Sequence, residues 1–148
     1  MMGRVMTSAP TPLTETAAQL RTSTYRLVRR LRTQRIDDVS VGQFSVLVSL
    51  RAHGPHTLGE LAEREHVTAP SMNRTVNCLE EAGLLERTPD TDDRRKVWIA
   101  LTDEGTSLVD ATDRRRDAWL VEGLAGLDAE EQEIIARAAA LIRRVADR

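Results

Sequence analysis

Thr57-Leu58-Gly59-Glu60-Leu61-Ala62, then Val67-Thr68-Ala69-Pro70-Ser71-Met72-Asn73-Arg74, then Pro89-Asp90-Thr91-Asp92-Asp93-Arg94-Arg95-Lys96-Val97-Trp98-Ile99-Ala100-Leu101 are the segments on which the fold turns. The first two open helices. Thr57 with Glu60 forms a capping box, and Thr68 caps a second helix that tolerates Pro70 in its first turn. Leu84 to Thr88 and Lys96 to Leu101 have the composition and alternation of two hairpin arms around a charged loop. Helix, turn, helix and hairpin with a basic tip is the plan of a winged helix. That plan sets one helix in a DNA major groove and an arginine near the minor groove.

The flanks supply more helices. Thr11-Pro12 marks a start, and Leu13, Ala17, Leu20, Thr24, Leu27 and Leu31 recur at helical spacing, predicting a helix to about Ile36. Ser40 and Gln43 form a capping box for an apolar helix that ends near Gly54-Pro55. The helix from Thr68 is expected to run to Gly83. Thr102 caps a long helix carrying Leu108, Ala111, Arg115, Ala118 and Trp119, ending around Gly123 and Gly126. Asp128 and Glu131 box a last helix carrying Ile134, Ile135, Ala138, Leu141, Ile142 and Val145. The terminal helices flank a compact middle, and their apolar faces are expected to be covered by a second copy of the chain. The expected organisation is a flexible arm over 1–12, dimerisation helices over 13–36 plus 103–148, and a winged helix-turn-helix DNA-binding lobe over 37–102. The fold class is mainly α with a small β-hairpin.

Bulk composition constrains function mainly by exclusion. The 148 residues are 41% hydrophobic with 3% aromatics and a net charge of −2, so any nucleic-acid surface must be local. Cys78 is the single cysteine, which rules out an intrachain disulfide and fits a reducing cytoplasm. No apolar run reaches the roughly 18 residues of a membrane span, and Met1 to Pro12 has no signal-peptide core. Gly-rich phosphate loops, nucleophile elbows and His-Glu-x-x-His are absent, so no enzyme and no cofactor is expected. His53, His56 and His66 lack Cys or carboxylate partners at ligand spacing, so no metal is expected either.

At 100° per residue, Met72, Val76 and Leu79 share the inward side of the helix from Thr68. Arg74 and Cys78 fall opposite, flanked by Ser71 and Asn77, with Asn73 at the edge. Such groups can bond phosphates and base edges: arginine pairs with guanine, and asparagine with adenine. Three adjacent cations, Arg94, Arg95 and Lys96, repel one another unless anions are near. Asp92 and Asp93 meet part of that need, and a phosphate backbone would meet the rest.

Over about Leu13 to Val145 the sequence resembles the MarR family of bacterial winged-helix transcriptional regulators. The resemblance rests on Thr57 to Arg74 continuing through Leu79-Glu80-Glu81-Ala82-Gly83-Leu84-Leu85, and on Asp92-Asp93-Arg94-Arg95 followed by Leu101-Thr102-Asp103-Glu104-Gly105. It implies a homodimer with two winged lobes that binds double-stranded DNA at a pseudo-palindromic operator. The helix from Thr68 would enter the major groove, with Arg74 on DNA. Arg94 would sit at the wing, and Asp93 would orient the wing arginines by a charge-assisted bond. Thr68, Ser71, Asn73, Arg74, Asn77, Arg94, Arg95 and Lys96 are therefore the DNA-binding candidates. A bacterial, cytoplasmic repressor released by a small aromatic or phenolic anion is the expected function. An arginine from Arg114-Arg115-Arg116 or from the stretch Arg26 to Arg35 would hold that anion.

One departure stands out: the family usually carries Arg or Lys where this chain has Cys78. Two alternatives follow, a dimeric protein-interaction module and a thiol-based redox regulator acting through Cys78. Peroxide-sensing relatives place their cysteine in the first helix, and zinc-responsive ones use histidines in the helix after the wing. This chain has neither.

Overall fold

The computed structural model describes residues 12–34 and 38–148. It contains α1 (Leu13–Thr33), α2 (Val41–His53), α3 (Leu58–Arg64), α4 (Ala69–Glu81), β1 (Leu85–Pro89), β2 (Val97–Leu101), α5 (Asp103–Ala125) and α6 (Ala129–Ala146). It divides into two units, 1–33 and 34–148. The first unit is described by α1, whose Leu13, Leu20, Tyr25, Leu27 and Val28 are exposed. The helix stops at Thr33, short of the expected Ile36; residues 35–37 lie outside the described residues, as do the arm over 1–11 and the cap at Thr11.

The second unit is organised by its caps. Ser40, Thr57 and Asp128 each accept from the N–H three residues on, and Gln43, Glu60 and Glu131 return the bond to the cap's own N–H. Each exchange satisfies two of the N–H groups a helix start leaves open, which fixes where the helix begins. The apolar side chains then converge. Leu47, Leu61, Met72, Val76, Leu79, Ile99 and Val109 are each at most 2% exposed, joining α2, α3, α4, β2 and α5 in one core. Burying a side chain of that size is worth roughly 1.5–3 kcal/mol, so the lobe does not depend on aromatic bulk.

Three boundaries of this unit differ from expectation, and the backbone explains each. Helix α4 ends at Glu81 with Ala82 as cap, and Gly83 lies just beyond with φ 73°. Leu84 donates its N–H to Leu79 O (2.9 Å) and Gly83 to Glu80 O (2.9 Å). This paired closure needs a left-handed residue, which glycine adopts without a Cβ penalty. Because Leu84's N–H is committed there, β1 begins at Leu85. At the other arm the Lys96 N–H donates to Asp93 O (2.8 Å) and closes the loop, so β2 begins at Val97. The strands pair antiparallel, from Leu85 opposite Leu101 to Pro89 opposite Val97. His56 adds an isolated bridge to Ile99, exchanging backbone bonds of 3.1 and 2.8 Å.

The buried line of α5 is not the recurrence from Leu108 to Trp119 but Gly105, Val109 and Thr112. The cause is Gly105. A Cβ there would stand 2.1 Å from the Leu84 carbonyl oxygen, so only glycine lets the helix come that close to the turn after α4. Thr102 fastens the same corner. Its hydroxyl donates to Gly83 O (2.6 Å) and accepts from the Gly105 N–H (3.0 Å).

Candidate nucleic-acid interface

Helix α4 is aimed by what it buries. Met72, Val76 and Leu79 enter the core, so Ser71, Asn73, Arg74, Asn77 and Cys78 are left exposed. Thr68 starts the helix by accepting from the Ser71 N–H (3.3 Å). The preceding turn is tight: His66 has φ 52°, and Val67 donates back to Ala62 O (3.0 Å). Histidine is among the few residues that tolerate that conformation. His66 thereby has a backbone role at the turn.

The wing loop contains no glycine and is held by Asp90. Its Oδ1 accepts from the backbone N–H of Asp92 (2.9 Å) and Asp93 (2.8 Å), while Oδ2 accepts from Trp98 Nε1 (2.6 Å). These bonds, led by the one from the Asp93 N–H, hold the carboxyl below its usual pKa. Asp93 in turn accepts from the Arg95 Nε and backbone N–H, both at 3.1 Å. That contact with the Arg95 side chain is the main reason its pKa is also lowered. Asp90 and Trp98 were not singled out in the sequence. The only signal was an aspartate two and three residues before the N–H groups it accepts from.

A third contact joins helix to hairpin. Arg87 of β1 ion-pairs with Glu80 and donates to Asn77 Oδ1 (2.8 Å) and Asn73 Oδ1 (3.3 Å). The sequence reading missed Arg87 because its partners lie on the far side of a turn.

These contacts determine how the local charge is presented. Asp90, Asp92 and Asp93 equal Arg94, Arg95 and Lys96 in number. Asp90 is turned onto backbone N–H groups and Trp98, Asp93 onto Arg95, and Glu80 onto Arg87. Among the described residues, Arg74 and Arg94 have no carboxylate within ion-pairing distance. Lys96 is likewise exposed and outside every ion pair among them, so three exposed cations remain, Arg74 on α4 and Arg94 and Lys96 on the wing, despite the wing's neutral sum.

Other sequence candidates are placed elsewhere. The His53 and His56 rings meet edge to face at 6.4 Å, and His56 Nδ1 lies 2.8 Å from Gly54 O. Among the described residues no group of three His, Cys, Asp or Glu is arranged to hold a metal ion. No helix among them is long and apolar enough to cross a membrane. Of the Arg114 to Arg116 run, Arg116 alone is half-buried; its guanidinium lies 4.5 Å over the Phe44 ring, and its Nε has no hydrogen-bond partner. Arg51 and Asp110 add an ion pair of 2.8 Å between α2 and α5. In the other basic stretch, Arg26, Arg29, Arg30 and Arg32 are exposed on α1, and Arg35 lies outside the described residues.

The comparisons with known proteins agree with this architecture. The MarR family model matches residues 39–97. The HTH-type transcriptional regulator ML2140 of Mycobacterium leprae is 38% identical over 132 residues, covering 88% of this chain and 92% of that protein. The HTH-type transcriptional repressor MdtR of Bacillus subtilis is 33% identical over 109 residues, 74% of this chain and 70% of its own. The crystal structure of RV1404 from Mycobacterium tuberculosis superposes with a TM-score of 0.81 at 26% identity, over 93% of this chain and 96% of that one. With a winged helix-turn-helix lobe and a relative of that identity along nearly its whole length, the chain belongs to the MarR family of transcriptional regulators.

Proposed function

We propose that the chain is a homodimeric repressor that binds a pseudo-palindromic operator in double-stranded DNA and is released by a small anionic ligand. The observation that carries the DNA reading is the exposed pair Arg74 and Arg94, on a helix and a wing cross-tied by Arg87. Thr68, Ser71, Asn73, Asn77, Arg95 and Lys96 complete the proposed contact surface. In a dimer, two α4 helices would meet successive major grooves about 34 Å apart. Repression is supported by the name of the MdtR relative. The proposed domain roles follow: 37–102 on DNA, and 13–36 with 103–148 between subunits. Support for the second role comes from α6, where Ile134, Ile135, Leu141, Ile142 and Val145 are all exposed.

For the ligand, what favours Arg116 is its aromatic neighbour Phe44 and its unbonded Nε. An aromatic or phenolic anion would pair with the guanidinium, and it would release DNA only if it favours a dimer whose helix spacing misses the operator repeat. A second reading, thiol control, is favoured by exposed Cys78 on the same face as Arg74.

The deciding experiment is an electrophoretic shift on DNA flanking the protein's own gene, with unlabelled random competitor. A discrete shift that survives competitor and weakens steeply with salt supports the operator reading. A smear that competitor removes, on this DNA and on a genomic fragment pool, counts against it and favours an interaction module. Alkylating Cys78 before the assay separates the thiol reading, which requires the shift to be lost.

A further inference from the structure

Asn73 and Asn77 lie on the exposed face of α4, where asparagine invites a two-point contact with adenine. Arg87 stands behind them. Its Nη2 donates to Asn77 Oδ1 at 2.8 Å and to Asn73 Oδ1 at 3.3 Å, while Nη1 pairs with Glu80. A guanidinium has five N–H donors and no acceptor, so a carboxamide bonded to it must offer its oxygen. The orientation of both asparagines therefore follows from Arg87's chemistry. Oxygen and nitrogen share one planar carbon. With the oxygen turned onto β1, the nitrogen is the atom left for an outside partner. The adenine contact needs both atoms on the base edge, the oxygen accepting from N6–H and the nitrogen donating to N7. While Arg87 holds the oxygens toward β1, that two-atom contact is disfavoured.

Resting on the reading of α4 as the groove-entering helix, we propose that Arg87 is a specificity-positioning residue. It holds Asn73 and Asn77 as donors toward the groove, favouring guanine, whose edge offers the two acceptors N7 and O6, over adenine, which offers N7 beside the N6–H donor. Glu80 keeps the guanidinium in place, so the device spans α4 and β1. A merely structural Arg87, tying wing to helix, would change affinity and leave base preference alone.

The experiment is selection from duplexes randomised over about two helical turns, using the full chain as wild type, as Asn77→Ala and as the charge-neutral pair Glu80→Gln with Arg87→Met. Asn77→Ala identifies the base pair that Asn77 reads, because preference there is lost. At that pair the wild type is expected to select G·C and disfavour A·T about tenfold, the scale of one good base contact. In the double variant A·T should rise to within about twofold of G·C. Unchanged preferences in the double variant, or A·T already selected by the wild type at that pair, overturn the proposal. Should the double variant lose its cooperative thermal transition, Arg87→Met alone replaces it, with Glu80 left to solvent, and is read by the same two outcomes. A wild type that enriches no sequence overturns the DNA reading and this inference together. Failure of Arg87 alone appears as unchanged preference in a protein that does select sequence.

Discussion

Asp90 is the residue on which the wing's shape depends, because it satisfies two backbone N–H groups and an indole from one carboxylate. Asp90→Ala is expected to disorder the loop, read as a change in Trp98 emission in a Trp119→Phe background, while the cooperative melt of the lobe persists. The pH dependence has a definite sign. A carboxylate with a lower pKa folded than unfolded favours the ordered wing at all pH above the unfolded value. That advantage fades as pH falls through the folded value. With Asp90 and Asp93 both lowered, Trp98 emission should stay flat from neutrality down to about pH 4, the ordinary aspartate range, and change only below it. A transition near pH 6 would refute the assignment. On DNA, Arg74→Ala and Arg94→Ala should each cost about 1–3 kcal/mol of affinity by fluorescence anisotropy, with a shallower salt slope. Unchanged affinity in both would remove them from the contact surface. The exposed face of α4 was legible from helical periodicity alone. The engagement of Asn73 and Asn77 by Arg87 was not, because periodicity says which way a side chain points and nothing of which neighbour meets it.

At the scale of elements, two glycines in helices make a controlled comparison. Gly105 lies where a Cβ would strike the Leu84 carbonyl, and Gly59 has nothing within 4 Å of its Cβ position. Gly105→Ala should destabilise by about 3 kcal/mol or more, since backbone must move. Gly59→Ala in α3 should stabilise by roughly 0.5–1 kcal/mol through helix propensity. Urea unfolding of the two variants tests both; equal effects would mean that the corner between α4 and α5 is loose. Helix starts were readable because a cap is a local exchange over four residues. Strand starts were each off by one, because Leu84 and Lys96 give their N–H groups to closures that are only visible once the turns are built.

For the whole molecule, the central question is what covers α6. A helix with five large apolar residues exposed is costly to leave in water. We expect sedimentation equilibrium to give twice the chain mass. Ile134→Glu with Leu141→Glu should yield a monomer with an intact winged lobe and operator affinity weakened at least tenfold, because the two half-sites are no longer bound as one. A variant that stays dimeric would place the subunit contact elsewhere.

The sequence by itself determined the helices, their caps, the inward stripe of α4 and the family. Each of these depends on residues within a turn or two of one another, or on a motif of fixed spacing. Only the tertiary structure decided which carboxylates are spent on N–H groups and arginines, leaving Arg74, Arg94 and Lys96 without ion-pair partners beside a wing of balanced charge. It alone also decided that α5 presses Gly105, rather than the recurrence from Leu108 to Trp119, against the turn after α4. Those outcomes depend on distances between segments far apart in the chain, and such distances exist only once the core has closed.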